Sequence, residues 1–199
     1  MRNHGDQAGR RAEDNLKGKI RIPRLVKPVA AIMAREREYL AQAAGRLSEI
    51  LGETDLESPV FPFDQSEYYR AEMGPSLLKQ FFSFGPLRRP EDLVRLKRRT
   101  AACERLHRAP RGGRLVNIDP GYWSDAKLVL ASTKNYSHRI CLGRRIFGEI
   151  TLRYHQGRLQ PLEWTYPDYR SRLALEFFEK VRRTYLQQIA QIRSFYFRA

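Results

Sequence analysis

A chain of 199 residues with 42% hydrophobic content is long enough to bury one core. Lys and Arg outnumber Asp and Glu by 37 to 22, a formal charge of +15 that favours polyanionic partners. No run of about eighteen apolar residues occurs, and the polar stretch 1–16 lacks a leader core, so neither a membrane span nor a signal peptide is expected. The expected compartment is the cytoplasm, with Cys103 and Cys141 as reduced core thiols outside any CxxC pair.

Residues 1–24 hold seven basic and three acidic residues and read as a disordered basic tail. The segment 25–199 reads as one α+β domain. Pro28–Ala34 is a short apolar run typical of a buried strand. Leu40, Ala43, Ala44, Leu47, Ile50 and Leu51 repeat at helical spacing, and Gly52 supplies a stop. An acidic loop is expected next. Pro59–Phe63, with two prolines, suits an edge strand, and Leu77–Phe84 a further strand.

Pro90, followed by Glu91 and Asp92, opens a second helix. Its inner face is expected to carry Leu93, Leu96, Thr100, Cys103 and Leu106. The stretch from Arg88 to Arg114 is the most basic in the chain. It is either a polyanion-binding patch or a solvated helix face. Leu115–Ile118 and Leu128–Ser132 read as strands separated by a turn at Asp119-Pro120-Gly121. Alternation over Ile146–Tyr154 predicts a strand with Ile146, Gly148, Ile150, Leu152 and Tyr154 on one side. A turn at His155–Arg158 returns the chain into Leu159–Trp164. Ser171 caps a final helix with a stripe of Leu175, Phe178, Val181, Tyr185, Ile189 and Ile192. Consecutive strands without helices between them imply antiparallel pairing. The expected fold is therefore α+β, a mostly antiparallel sheet with about three helices, its first half ferredoxin-like.

Five polar and aromatic segments occur in order: Phe61-Pro62-Phe63-Asp64, Tyr68–Gly74, Val116–Tyr122, Ser132–Arg139 and Trp164–Tyr169. Together they closely resemble the bacterial family catalogued as domain of unknown function 4416, over roughly Val26 to Tyr185. The resemblance implies no established activity. Some members carry a GTP-binding label. The chain contains neither GxxxxGK[ST] nor Asn-Lys-x-Asp, so its residues give that label no support.

The chemistry available to these segments falls into three sets. Asp64, Asp119 and Asp168, brought together, would hold a divalent metal such as magnesium. Lys134 and Arg139 suit phosphate, while His138, Glu149 and Asp119 are the candidate proton-transfer groups. Tyr68, Tyr69, Tyr122, Tyr136, Trp164, Tyr166 and Tyr169 are candidates to stack on a base or bond to a phosphate or ribose. Each set also has a structural reading, as turn acids, a satisfied histidine and an aromatic core. Missing motifs argue against a zinc site, an α/β-hydrolase and a Rossmann domain. Three readings stay open: a nucleotide- or nucleic-acid-binding protein, a metal-assisted enzyme on a phosphorylated or nucleotide substrate, and a non-catalytic interaction module.

Overall fold

The computed structural model describes residues 24–63, 69–108 and 113–196. Asp64, Tyr68 and, apart from Arg24, the expected tail lie outside the described residues. In chain order the elements are β1 (Lys27–Ala34), α1 (Arg37–Leu51), β2 (Thr54–Glu57), β3 (Phe61–Phe63), α2 (Arg70–Met73), β4 (Leu77–Phe84) and α3 (Asp92–Leu106). They continue with β5 (Val116–Ser124), β6 (Lys127–Ser132), β7 (Ile140–Gly143), β8 (Ile146–His155), β9 (Arg158–Pro161), α4 (Pro167–Arg170) and α5 (Arg172–Tyr196).

The strands form one antiparallel sheet in the order β2-β4-β1-β5-β6-β8-β7, with β3 added to β4 and β9 to β8. The run β2-β4-β1-β5, with α1 and α3 as its two crossovers, is the strand order of a ferredoxin-like unit. The fold is α+β, as expected. No helix among the described residues is long and apolar enough to cross a membrane.

Two apolar layers hold the sheet between helices. On one face, α1 and α3 bury Leu40, Leu47, Leu96 and Cys103 against Ile32, Phe82, Phe84 and Ile118. On the other, α5 sets Ala174, Phe178, Val181 and Tyr185 against Val29, Phe81, Trp123 and Leu152. β1 is buried along its whole length because it lies between both layers. Ser171 caps α5 as expected, its Oγ accepting from the Ala174 N–H at 3.1 Å. Gly52 ends α1 at φ 95°.

Several expectations are corrected. The acidic loop after α1 is the edge strand β2, paired with β4. Leu106 is exposed, since the helical step of about 100° per residue turns it off the buried stripe of α3. Cys141 is exposed on edge strand β7, whereas Cys103 is buried; both are free thiols. Ile150 faces solvent because a bulge in the β6–β8 register, between Leu128 and Val129, shifts the alternation of β8.

The largest correction concerns Asp119-Pro120-Gly121, which lies within β5 and not in a turn. β1 pairs with β5 from Val116 to Trp123, but β6 pairs only with Gly121–Ser124. The first half of β5 is therefore bound on one side alone. Pro120, which has no N–H, is tolerated where no ladder bond is due. Gly121 stands where β6 first closes on β5. A Cβ there would sit 2.3 Å from the Val129 carbonyl oxygen.

Candidate functional site

The parting of β5 from β6 leaves the backbone of Ile118 without a strand partner on that side. Two buried side chains of α3 take its place. The Ile118 N–H donates to Glu104 Oε1 at 2.7 Å, and Lys97 Nζ donates to the Ile118 carbonyl at 2.7 Å. A buried edge is thus satisfied by side chains where a strand would otherwise be required. Burial pushes the Glu104 carboxyl above its ordinary range, with Lys97 opposing that shift.

The split encloses a cavity of about 330 Å³. Lys97 and Glu104 reach it from one face of the sheet, and Asp168 and Tyr169 of α4 from the other. β4 contributes Lys79, the approach to β5 contributes Arg114, and β5 itself contributes Asn117 and Asp119. The end of β6 supplies Ser132, the loop after it supplies Thr133, Lys134 and Arg139, and β8 supplies Glu149. Tyr69 and Tyr166 complete the polar lining.

These charges are organised in pairs. Lys79 Nζ lies 2.6 Å from Asp168 Oδ2, both side chains almost wholly buried. The same ammonium stands 4.9 Å from the Tyr169 ring centroid and 5.0 Å from that of Phe63, within cation–π range. Lys97 is 3.7 Å from Asp119, which accepts from Asn117 Nδ2 at 2.9 Å. Arg114 grips Glu72 with two bonds, at 2.6 and 2.7 Å, and donates to Asn117 Oδ1 at 2.9 Å. The Arg114 bond holds the Glu72 carboxyl below its ordinary range. Lys134 Nζ lies 5.9 Å from the Tyr69 ring centroid.

Glu149 is the most enclosed carboxylate. It accepts from Arg139 Nε at 2.6 Å, meets His138 Nε2 at 3.0 Å and accepts from Thr151 Oγ1 at 3.3 Å. Burial opposes the Arg139 charge, but the bond and charge of Glu149 outweigh it and raise the guanidinium pKa. Arg139 also donates to Ser132 Oγ at 2.8 Å and to the Lys134 carbonyl at 3.1 Å, so it fixes the post-β6 loop.

Tyr169 differs from these groups. Its hydroxyl is buried and has no hydrogen-bond partner among the described residues. Burial pushes its pKa well above the ordinary phenol value, and Asp119, Asp168 and Glu149 add to that shift. The hydroxyl therefore sits inside the cavity wall, shielded from water and from the cavity interior alike, as an unsatisfied buried donor.

The structure thus brings together eight expected residues: Tyr69, Asp119, Lys134, Arg139, Glu149, Tyr166, Asp168 and Tyr169. His138, Tyr136 and Trp164 do not line the cavity but stand behind it. His138 stacks on Trp164 at 5.3 Å and 9°, Trp164 Nε1 donates to the Ile150 carbonyl at 2.8 Å, and Arg139 covers the Tyr136 ring at 4.5 Å. Among the cavity carboxylates, His138 contacts Glu149. Tyr122 is elsewhere, packed near Leu93 and Val129 beside a separate hollow of about 90 Å³. Among the described residues no three Asp, Glu, His or Cys groups are placed to hold a metal ion.

Sequence reasoning missed Lys79, Lys97, Glu104 and Arg114. One signal was available: Lys79 shares its strand face with Leu77 and Phe81, both core residues. Lys97, Glu104 and Arg114 were hidden in the basic stretch, where nothing separates a buried charge from a solvated one.

The family model described as Domain of unknown function (DUF4416) matches residues 24–185. The chain belongs to this family. No curated protein and no solved structure matches it.

Proposed function

We propose that the split cavity binds a nucleotide. The observation that carries this reading is the inward convergence of Lys79, Lys97, Arg114, Lys134 and Arg139 with Glu104, Asp119, Glu149 and Asp168. Gathering ionised groups away from water costs several kcal/mol per ion unless partners compensate. A core does not need such a set, whereas a polar solute does.

The mixed signs narrow the chemistry. A simple anion would be repelled by four carboxylates, and a simple cation by five positive groups. A nucleotide carries both complements: phosphate for the ammonium and guanidinium groups, and ribose hydroxyls and base amines for the carboxylates. Tyr69 and Tyr166 offer aromatic faces to a base. The volume of about 330 Å³ falls at the lower end of ligand pockets, which suits one nucleotide.

The test is thermal unfolding against a panel of purine and pyrimidine mono-, di- and triphosphates. At least one should raise the Tm in a concentration-dependent way, and Lys134→Ala should remove that shift. No shift from any member of the panel overturns the reading.

A second reading, a metal-assisted enzyme on a phosphorylated substrate, draws support from Asp119 and Asp168 sharing the cavity. Each stands beside a lysine, and Glu149 is held by Arg139 and His138, so neither a metal nor a free base has an uncontested carboxylate. It predicts magnesium-dependent turnover of the nucleotide that binds.

A further inference from the structure

The cavity adjoins a second concavity of opposite character. A groove of about 670 Å³ runs between α3 and the β7–β8 turn, lined by Arg95, Arg98, Arg99, Arg105, Arg144 and Arg145. No carboxylate lines it. Arg95 is paired with Asp92, but the other five arginines meet no carboxylate within ion-pair distance among the described residues. Lys97, Ala101 and Thr133 line both the groove and the cavity, so the two are continuous.

The turn carries an independent sign of function. Gly143 pairs with Ile146, leaving Arg144 and Arg145 as a two-residue hairpin loop. Both have positive φ, 51° and 61°, the arrangement of a type I′ turn. Asn-Gly is the favoured pair there, because side chains without local hydrogen bonding resist the left-handed region. Two successive arginines are a poor choice for the backbone, and both are exposed. Their side chains contribute nothing to packing, which leaves the groove as the reason for their presence.

We infer that the groove binds the phosphate backbone of a single-stranded nucleic acid, one nucleotide of which enters the cavity. This rests on the nucleotide reading of the cavity. Arg95 to Arg105 spans about 15 Å along α3, enough to follow several phosphates. A concave channel suits a strand better than a flat lipid surface. Exposed aromatic rings lie next to the cavity, with Tyr166 on its lining and Tyr136 and Trp164 held beside it by Arg139 and His138. A basic groove with adjacent aromatic platforms is the usual equipment for binding single strands.

The experiment is fluorescence anisotropy of a labelled oligouridylate of about a dozen nucleotides across a salt series. Log affinity should fall linearly with log salt, with a slope of about −0.7 per phosphate contacted. The double variant Arg144→Asn/Arg145→Gly installs the favoured turn pair, so its Tm should equal or exceed that of the parent chain. Its slope should shrink by about 1.4, two phosphate contacts, and its affinity fall about tenfold or more, while the mononucleotide thermal shift stays unchanged. An unaltered slope and affinity in the variant overturn the inference, as does equal competition by heparin or by duplex DNA, which would mark an unselective polyanion surface. An oligonucleotide that fails to bind while mononucleotides still raise the Tm defeats the groove and spares the cavity. The predicted loss in slope without any mononucleotide shift supports the groove and defeats the cavity reading.

Discussion

Tyr169 concentrates a cost in stability in a single atom. A buried hydroxyl without a partner costs about 1–3 kcal/mol of desolvation that nothing within the described residues returns. Tyr169→Phe should therefore raise stability by about 1 kcal/mol. Urea melts check the sign, and a variant that loses stability would assign the hydroxyl a structural bond. Glu104 makes a separate prediction in pH. Burial raises its pKa, so over the interval above the ordinary carboxylate value the folded chain keeps a proton that the unfolded chain has released. Stability contributed at this site falls as pH rises through the folded-state titration. Glu104→Gln retains an acceptor for the Ile118 N–H and should flatten that part of the pH–stability profile measured by thermal melts.

At the scale of elements, the site exists because β5 and β6 part company at Gly121. Gly121→Ala drives a Cβ into the Val129 carbonyl. It should cost about 3 kcal/mol, and hydrogen exchange should speed up in Gly121–Ser124, where β6 pairs. The helices were legible in the sequence because their apolar spacing is local: α1 from Leu40 to Leu51, α5 from Phe178 to Tyr185. The passage of β5 through Asp119-Pro120-Gly121 was not. Asp-Pro-Gly has turn chemistry, and only the missing β6 partner, a fact of tertiary structure, makes it acceptable in a strand. Lys134, Arg139 and Asp168, which line the cavity, were legible as candidates because polar and aromatic side chains cluster around them in sequence. Lys97 and Glu104 were not, because their burial follows from the same split, which no local pattern announces. Ile150 was misplaced for a related reason, a bulge that breaks a period of two.

The whole molecule is tied together by a buried lysine remote from the cavity. Lys27, fully buried on β1, makes a short ion pair with Asp55 of β2. It also donates to the Phe84 carbonyl of β4 at 3.1 Å and to Gln188 Oε1 of α5 at 3.1 Å. One ammonium thus links two neighbouring strands and the helix that covers them. Asp55→Asn leaves that charge without a counterion and should cost about 3–5 kcal/mol in urea unfolding, and a loss below about 1 kcal/mol would mean that the Lys27 ammonium reaches water. The sheet and its two covering layers frame the split, with charged side chains from both faces meeting inside it.

The central claim is that this split is a nucleotide site. Hydrogen–deuterium exchange, with and without the nucleotide that shifts the Tm most, tests it most directly. The account predicts protection concentrated in Asn117–Gly121, Ser132–Arg139 and Tyr166–Tyr169, with the hollow beside Tyr122 unchanged. Protection centred on Tyr122 and Arg88, or none at the three split segments, would contradict it.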